Sequence, residues 1–241
     1  MTTRKSFIYG ADRIEYEVEF VPSARKRVSI HVYPDGSVRV DAPEERELPE
    51  IHQAVMKRAG WIKHHVDEFR RQREQALPRG YVSGESVFYL GRRYQLKVRQ
   101  GATPGVKLLR GQVCVETPSR TAEDVKELLA AWYRTRASEV FARRFDDVAE
   151  QVNWLRKPPA WRLVRMKTQW GSCSPTGTIL LNPHLIKAPR ECIEYVISHE
   201  LCHLKEHNHS PRYYRLLSKI MPRWEIVKAR LDGMAELLLN E

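Results

Sequence analysis

Two histidines four residues apart, with a glutamate directly after the first, are the residues of this chain that best fit a chemical role. His199 and His203 enclose Glu200 in an HExxH pattern, and a third histidine, His209, follows six residues later. Positions four apart lie on one face of a helix, so both imidazoles can reach one metal ion while Glu200 stands beside them. This pattern is typical of zinc hydrolases.

A zinc ion needs a third protein ligand, and His207 and His209 are the candidates. On a continued helix His207 would lie about 12 Å along the axis from His199, too far for ligands that bind one ion at about 2.0–2.1 Å. His209 follows Asn208, a residue that tolerates the left-handed conformation in which helices often end, so the chain can turn there. We therefore predict that His199, His203 and His209 bind zinc and that His207 is either solvated or supports one of these ligands.

Glu200 is predicted to act as the general base. Three imidazoles leave one position on zinc for water, whose pKa falls to about 7 when it is bound. Glu200 would take a proton from this water and pass it to the leaving amine. The sequence does not identify an oxyanion donor; the candidates are Tyr213, Tyr214, His207 and Arg165.

The segment from Trp170 to Cys173 has two interpretations. Gly171 beside a strand end permits close backbone approach, so this edge could pair with an extended peptide substrate. Alternatively, the segment is a tight hairpin whose Trp170 fills the core. Cys173 is either a thiolate that inhibits the metal or, as we favour, a buried structural thiol.

Hydrophobic periodicity predicts the elements that position these residues in the C-terminal half. Residues 191–206 form a helix with an apolar stripe, and Pro189 stands just before it. The other predicted elements, in chain order, are a helix from Thr121 to about Val152, a strand over 161–170, a turn over 171–177, a strand over 178–182 and two helices over 211–220 and 224–239.

The N-terminal half alternates like strands. Residues 27–33 and 37–41 form a predicted hairpin through Pro34-Asp35-Gly36, and one helix covers 51–73. Further strands are predicted over 87–90, 94–98, 106–109 and 113–116. The chain is therefore predicted to be α+β. Residues 1–120 would form a β-rich domain with one long helix, and residues 121–241 a domain with a β-hairpin and the HExxH helix. No internal repeat is apparent.

The formal net charge of +11 suits anionic partners. Residues 1–120 carry 22 basic against 15 acidic side chains, and residues 121–241 carry 19 against 15. This excess favours recruitment of nucleic acid or nucleotides, with the helix over 51–73 as the candidate surface. A basic surface that only confers solubility explains the charge equally well.

Composition also predicts where the protein works. No apolar run reaches the roughly 18 residues that cross a membrane, and the N-terminus lacks the apolar core of a signal peptide. Four cysteines show no paired spacing, which suits a reducing compartment: Cys114, Cys173, Cys192 and Cys202. We expect a cytoplasmic protein without a membrane partner.

Several short motifs carry a family resemblance. In the C-terminal half they are Lys167–Ser174, Leu181-Asn182, Tyr195–His199, Glu200–Leu204 and Asn208–Ser210. Weaker matches are Arg27–Ile30, Asp35-Gly36, Trp61-Ile62 and Leu90-Gly91. On these motifs the chain resembles the YgjP-like metallopeptidases, relatives of the SprT-like proteases and the small gluzincin-type zinc proteases. It departs from them at Tyr213-Tyr214, where a pair such as Phe-Trp is commoner.

The resemblance implies a zincin-like catalytic domain over residues 121–241 that hydrolyses polypeptides. Two other functions compete with this interpretation. A metal-dependent nucleoside triphosphate pyrophosphohydrolase is disfavoured because the chain lacks a GxxxxGK[ST] loop and clustered aspartates. A nucleic-acid-associated adaptor with structural zinc is disfavoured because such a site has no use for Glu200.

Overall fold

The computed structural model describes residues 2–10, 12–21, 28–33, 36–75, 79–166 and 169–239. The chain forms two compact units, Met1–Leu77 (unit 1) and Pro78–Glu241 (unit 2). Each unit combines a sheet with helices, so the α+β prediction is confirmed. Among the described residues, no helix has both the length and the apolar character needed to cross a lipid bilayer.

Unit 1 begins with a four-stranded sheet. Its strands are β1 (Thr2–Tyr9), β2 (Asp12–Val21), β3 (Ser29–Val32) and β4 (Val38–Pro43). The order is β1-β2-β4-β3, with β2 parallel to β4 and the other neighbours antiparallel. Every second side chain of β2, at Ile14, Tyr16 and Val18, enters the core, as a half-buried strand requires.

The predicted pairing of β3 with β4 is confirmed, with Val32 opposite Val38. The Pro34-Asp35 part of its predicted turn lies outside the described residues. The hairpin of β1 and β2 had not been predicted, although β2 has the alternation of a strand.

The prediction of one long helix over 51–73 is wrong, because two helices occupy this region. They are α1 (Leu48–Met56) and α2 (Ala59–Gln75). At the break Arg58 N–H donates to Val55 O at 2.9 Å, three residues back rather than four, which tightens the turn. The buried stripe continues through the break from Ile51 to Ile62, so periodicity alone did not reveal it.

Unit 2 contains a second four-stranded sheet and a long helix. The elements are β5 (Ser86–Tyr89), β6 (Arg92–Gln100), β7 (Gly105–Leu109), β8 (Gln112–Thr117) and α3 (Ala122–Glu150). These four strands and this helix confirm the predictions. Thr121 caps α3 by accepting a hydrogen bond from Asp124 N–H at 3.2 Å.

The predicted domain boundary at residue 120 falls inside unit 2. The sheet of β5–β8 shares one hydrophobic core with α3 and with residues as late as Leu238. Leu96 and Val113 from the sheet lie in that core with Leu129 and Phe141 from α3. The sheet buries its apolar face against α3, so the sheet and the helix belong to the same compact unit.

The two sheets share one topology, which the sequence did not reveal. The second sheet has the order β5-β6-β8-β7, with β6 parallel to β8 and antiparallel hairpins outside, as in β1-β2-β4-β3. Helices follow each sheet in the chain. Unit 1 and the first part of unit 2 thus repeat the same strand arrangement.

A small sheet precedes the HExxH region. It consists of β9 (Trp161–Leu163), β10 (Gly171–Cys173) and β11 (Ile179–Leu181), in the order β10-β11-β9. The predicted strand over 161–170 is therefore too long, and Gly171, predicted in the turn, belongs to β10. The turn closes later, where Gly177 N–H donates to Ser174 O at 2.9 Å and Gly177 adopts a φ of 81°.

Helices complete unit 2 after a 3₁₀ helix at Pro183–Lys187. They are α4 (Arg190–His203), α5 (Pro211–Ile220), α6 (Trp224–Asp232) and α7 (Ala235–Leu239). The bounds of α5 match the prediction. The single predicted helix over 224–239 is wrong, because the chain breaks at Gly233, a poor residue for a helix interior.

A buried lysine beside α7 leads to a pH prediction. Lys187 Nζ donates to Leu238 O at 2.8 Å, and burial lowers the pKa of Lys187 to about 7 from its ordinary 10.5. Between these values the unfolded chain binds more protons than the folded chain, so the free energy of unfolding rises with pH. Relative to Lys187→Met, wild type should gain on the order of 1.4 kcal/mol per pH unit in this window. Urea denaturation from pH 6 to 10 measures this; a constant difference would contradict it.

Candidate metal centre

The HExxH motif lies in the last turns of α4. His199 and His203 are half-buried and Glu200 is buried, while Val196 and Leu201 anchor the helix in the core of unit 2. The rings of His199 and His203 are 4.9 Å apart between centroids. The i, i+4 spacing therefore brings both imidazoles to one face of α4, as the sequence predicted.

His209 reaches the same place by a route that differs from the prediction. α4 ends at His203, with Leu204 at its C-cap, so the predicted extension of the helix to residue 206 is wrong. Asn208 is not among the residues with positive φ, and the chain turns without the left-handed conformation expected there. A tight turn, in which Ser210 N–H lies 2.7 Å from Asn208 O, brings His209 back to the helix.

The three histidines present converging nitrogens. His199 Nε2 lies 3.3 Å from His203 Nε2 and 3.0 Å from His209 Nε2. Ligands at tetrahedral angles and bonds of about 2.0–2.1 Å would be separated by about 3.3 Å. The spacing of these nitrogens and their chemistry therefore fit a zinc ion.

Surrounding groups orient the imidazoles. His203 Nδ1 lies 3.2 Å from Glu206 O, so it can donate there while Nε2 faces His199. The buried Tyr213 ring lies 4.7 to 5.3 Å from the centroids of all three histidine rings. Tyr213 Oη donates to His199 O at 3.1 Å. Tyr213 thus supports the centre and has its hydroxyl proton engaged with the backbone, which argues against an oxyanion role.

Glu200 is held tightly against β10. Its side chain is only 5% exposed, and burial raises the pKa of Glu200 to about 8. A Cβ added to Gly171 would lie 2.7 Å from Glu200 Oε1 and 2.9 Å from Val196 Cγ1. No larger residue fits there without a shift, so Gly171 admits the carboxylate of Glu200 rather than only a substrate backbone.

Asn182 fixes the segment that carries Gly171. Its buried Nδ2 donates to Met166 O at 2.7 Å and to Gln169 O at 2.9 Å, and Asn182 N–H donates to Trp170 O at 2.8 Å. The sequence placed Asn182 at the end of a predicted strand and within a family motif, and did not reveal this role. A polar residue directly after the apolar strand β11 was the available signal.

The remaining candidates differ in how close they are to the histidine cluster. His207 and Arg165 are exposed. Tyr214 borders the cluster, because its ring stacks on Trp224 at 5.2 Å and on His209 at 6.2 Å between centroids. Burial and the nearby Glu200 carboxylate raise the pKa of Cys173 to about 11, so its thiol stays protonated at neutral pH. Cys173 is also not one of the residues grouped with His199, His203 and His209 around a possible metal position, which argues against an inhibitory thiolate.

Acidic side chains partly neutralise the positive charge of α2, the helix of unit 1 that contains Lys63 and Arg70. Lys63 Nζ lies 2.5 Å from Asp12 and 2.7 Å from Asp67, and Arg70 is within 4 Å of both carboxylates. The side chains of Arg71 and Arg73 are not among those that the structure describes. Recruitment of nucleic acid by this helix stays a prediction, with Lys63 and Arg70 contributing less free charge than the sequence suggested.

Comparison with known proteins places this centre in a family. The model of the YgjP-like metallopeptidase domain matches residues 26–234. The chain belongs to the YgjP-like metallopeptidase family. The matched range contains the metal centre and most of the fold, whereas the hairpin of β1 and β2 precedes it.

Two solved structures that are similar to this chain are metallopeptidase zymogens. The metallopeptidase zymogen abylysin of Pyrococcus abyssi is 25% identical, with 42% of this chain and 94% of abylysin covered and a TM-score of 0.34. The metallopeptidase zymogen jannalysin of Methanocaldococcus jannaschii is 19% identical, with 39% and 96% covered and a TM-score of 0.36. No curated protein matches the chain.

Proposed function

We propose that this metallopeptidase is zinc-dependent and hydrolyses peptide bonds, with His199, His203 and His209 holding the metal and Glu200 as general base. The observation that carries the proposal is the convergence of three Nε2 atoms beside a buried glutamate. The Nε2 atom of His199 lies 3.0 Å from that of His209 and 3.3 Å from that of His203. The zincin-like catalytic domain inferred from the sequence would lie within unit 2.

Glu200 and the metal ligands would have different roles in the proposed reaction. When bound, zinc would polarise the scissile carbonyl and acidify a water molecule. Glu200 would accept the proton of the attacking water and deliver it to the leaving amine nitrogen. Burial raises the pKa of Glu200 from the usual carboxyl range towards neutral pH, and a group that must both accept and release a proton works best with a pKa near the working pH. The absence of a side chain at Gly171 leaves room for the Glu200 carboxylate beside β10.

The substrate is proposed to be an extended polypeptide that lies along β10. This strand is at the edge of its three-stranded sheet and begins at Gly171, which touches Glu200. Strand addition at such an edge supplies backbone hydrogen bonds without demanding a sequence. The scissile bond would then lie beside the carboxylate.

We also propose that the enzyme works in the cytoplasm. All four cysteines are free thiols, and three of them are buried. Unpaired cysteines are typical of proteins in reducing compartments.

One experiment separates the proposed activity from its alternatives. Purified zinc-loaded protein is incubated with denatured polypeptide, nucleoside triphosphates and DNA, with the Glu200→Gln form alongside. We expect polypeptide cleavage that requires Glu200. Release of pyrophosphate would favour the pyrophosphohydrolase, and DNA binding without hydrolysis would favour the adaptor.

The contact between Gly171 and Glu200 makes a further prediction. In Gly171→Ala the new methyl group would overlap the carboxylate, so Glu200 or β10 must move. A displacement of about 1 Å can cost about 10²-fold in rate, and overpacking costs about 1–3 kcal/mol of stability. We expect both losses with zinc affinity retained, measured by peptide hydrolysis and thermal denaturation.

Gly105→Ala is the matched control. Gly105 also begins a strand, but nothing lies within 4 Å of an added Cβ and its φ is not positive. This variant should behave like wild type. Equal activities in the two alanine variants would show that the close approach at Gly171 has no role.

A further inference from the structure

A cavity separate from the metal centre lies between the hairpin of β5 and β6 and the start of α4. Its volume is about 450 Å³, and Tyr89, Arg92, Tyr94, Pro189 and Arg190 are among its lining residues. Arg190 and His199 are nine residues apart on α4, which corresponds to about 13 Å along the axis. The cavity is thus near the proposed active site but does not contain it.

The cavity carries net positive charge. Arg92 and Arg190 are exposed, and neither has an ion-pair partner within the described part of the chain. Glu191 also lines the cavity, but its carboxylate is paired with Arg230. Two arginines therefore line this space, while its one acidic lining residue is paired with an arginine elsewhere. Guanidinium groups bind carboxylates in a bidentate manner.

Two tyrosine residues, Tyr89 and Tyr94, also line the cavity. The Tyr89 ring packs against Trp132 at 5.1 Å and against Tyr94 at 6.5 Å between centroids. Burial raises the pKa of Tyr89, so its hydroxyl stays neutral and can donate a hydrogen bond. Apolar walls with a few polar groups are typical of ligand sites.

The hairpin tip is anchored to the chain that leads into α4. Gly91 has a φ of 76°, and a Cβ there would lie 2.8 Å from Pro189 Cγ. Leu90 N–H donates to Ile186 O at 2.9 Å, and Gly91 N–H donates to Lys187 O at 3.0 Å. The two sides of the cavity are therefore held in a fixed relation, which reduces the entropy cost of binding a ligand.

We infer that this cavity binds an acidic segment of a polypeptide, with a carboxylate at Arg92 and Arg190 and a neighbouring apolar side chain against Tyr89 and Tyr94. The inference rests on the proposed peptidase function, for which the cavity is a second contact with the substrate. A peptide fits better than a free inorganic anion, because the space is far larger than one such ion and is walled by rings. About four extended residues span the 13 Å to His199.

Fluorescence anisotropy tests the site without requiring hydrolysis. The zinc-loaded Glu200→Gln protein is titrated into a labelled peptide, Gly-Leu-Glu-Leu-Glu-Gly, and into its counterpart with glutamine in place of glutamate. We expect the acidic peptide to bind at least about tenfold more tightly, the difference that charge-assisted hydrogen bonds supply. Equal binding of the two peptides would overturn the inference.

Two double variants locate the binding. Arg92→Gln with Arg190→Gln should weaken binding of the acidic peptide at least about tenfold. Arg99→Gln with Arg134→Gln removes the same charge from exposed positions of unit 2 outside the cavity. This pair should change the affinity for the acidic peptide less than about twofold. Equal effects of the two pairs would mean nonspecific attraction and overturn the site. Displacement of the peptide by an equal concentration of inorganic phosphate would assign the cavity to free anions instead.

The outcome is distinguishable from that of the proposed function. Peptide binding that depends on Arg92 and Arg190, in a protein that cleaves no polypeptide, would uphold the cavity and reject the peptidase. Cleavage of polypeptide by a protein whose peptide binding does not depend on Arg92 and Arg190 would uphold the peptidase and reject the cavity as a binding site.

Discussion

Replacing Glu200 by glutamine is expected to lower peptide hydrolysis about 10²–10⁴-fold, the usual contribution of a general base. Glutamine has nearly the same shape, so it can occupy the space beside Gly171, but its amide cannot accept the proton of the attacking water. The substitution also removes a buried ionisable group whose pKa burial raises to about 8, so the fold should not lose stability. Cleavage of a fluorogenic peptide measures the rate.

The control for this variant lies on the same helix. Glu194→Gln changes a half-buried glutamate that faces Arg144 at 3.3 Å rather than the histidines. It should retain activity within about threefold, because surface ion pairs contribute little. Zinc content and the unfolding midpoint are measured for both. If Glu200→Gln, with zinc verified, turned over like wild type, another residue would have to be the base.

Removing His209 is expected to weaken zinc binding by more than about 100-fold. Groups that merely support metal ligands contribute about 10–100-fold to affinity, and a direct ligand must contribute more. His209 Nε2 is 3.0 Å from His199 Nε2, so His209→Ala would leave only the two histidines of α4. Competition with a chromophoric chelator gives the affinity, and circular dichroism checks the fold.

His207→Ala is the matched variant for His209→Ala. His207 is exposed and lies outside the histidine cluster, so its loss should leave zinc affinity unchanged. Affinity is a better readout than stoichiometry, since the surface group of His64, His65 and Glu68 can take up zinc weakly. If His209→Ala still bound zinc tightly, or if His207→Ala lost its zinc affinity, the assignment of the third ligand to His209 would be wrong.

Local patterns predicted the elements that depend on neighbouring residues. Thr121 with Asp124 indicated the start of α3, and Pro211 to Ile220 was recognised as one helix. Caps and periodicity act over a few residues, so they can be read directly from the chain. The same patterns failed at Lys57-Arg58 and at Gly233, where a stripe continued past a break in the backbone hydrogen bonds.

The sequence by itself determined the chemistry that is available here: two histidines and a glutamate at helical spacing, with a third histidine within reach. Only the tertiary structure decided how these groups are used. In the folded chain Gly171 lies against Glu200, and the Tyr213 ring packs beside all three imidazoles. The Asn182 side chain donates hydrogen bonds to the backbone of Met166 and Gln169. Apart from Tyr213 and His209, which are four positions apart, these contacts join residues at least ten positions apart. The packing of separate elements, rather than any local preference, determines which of them meet.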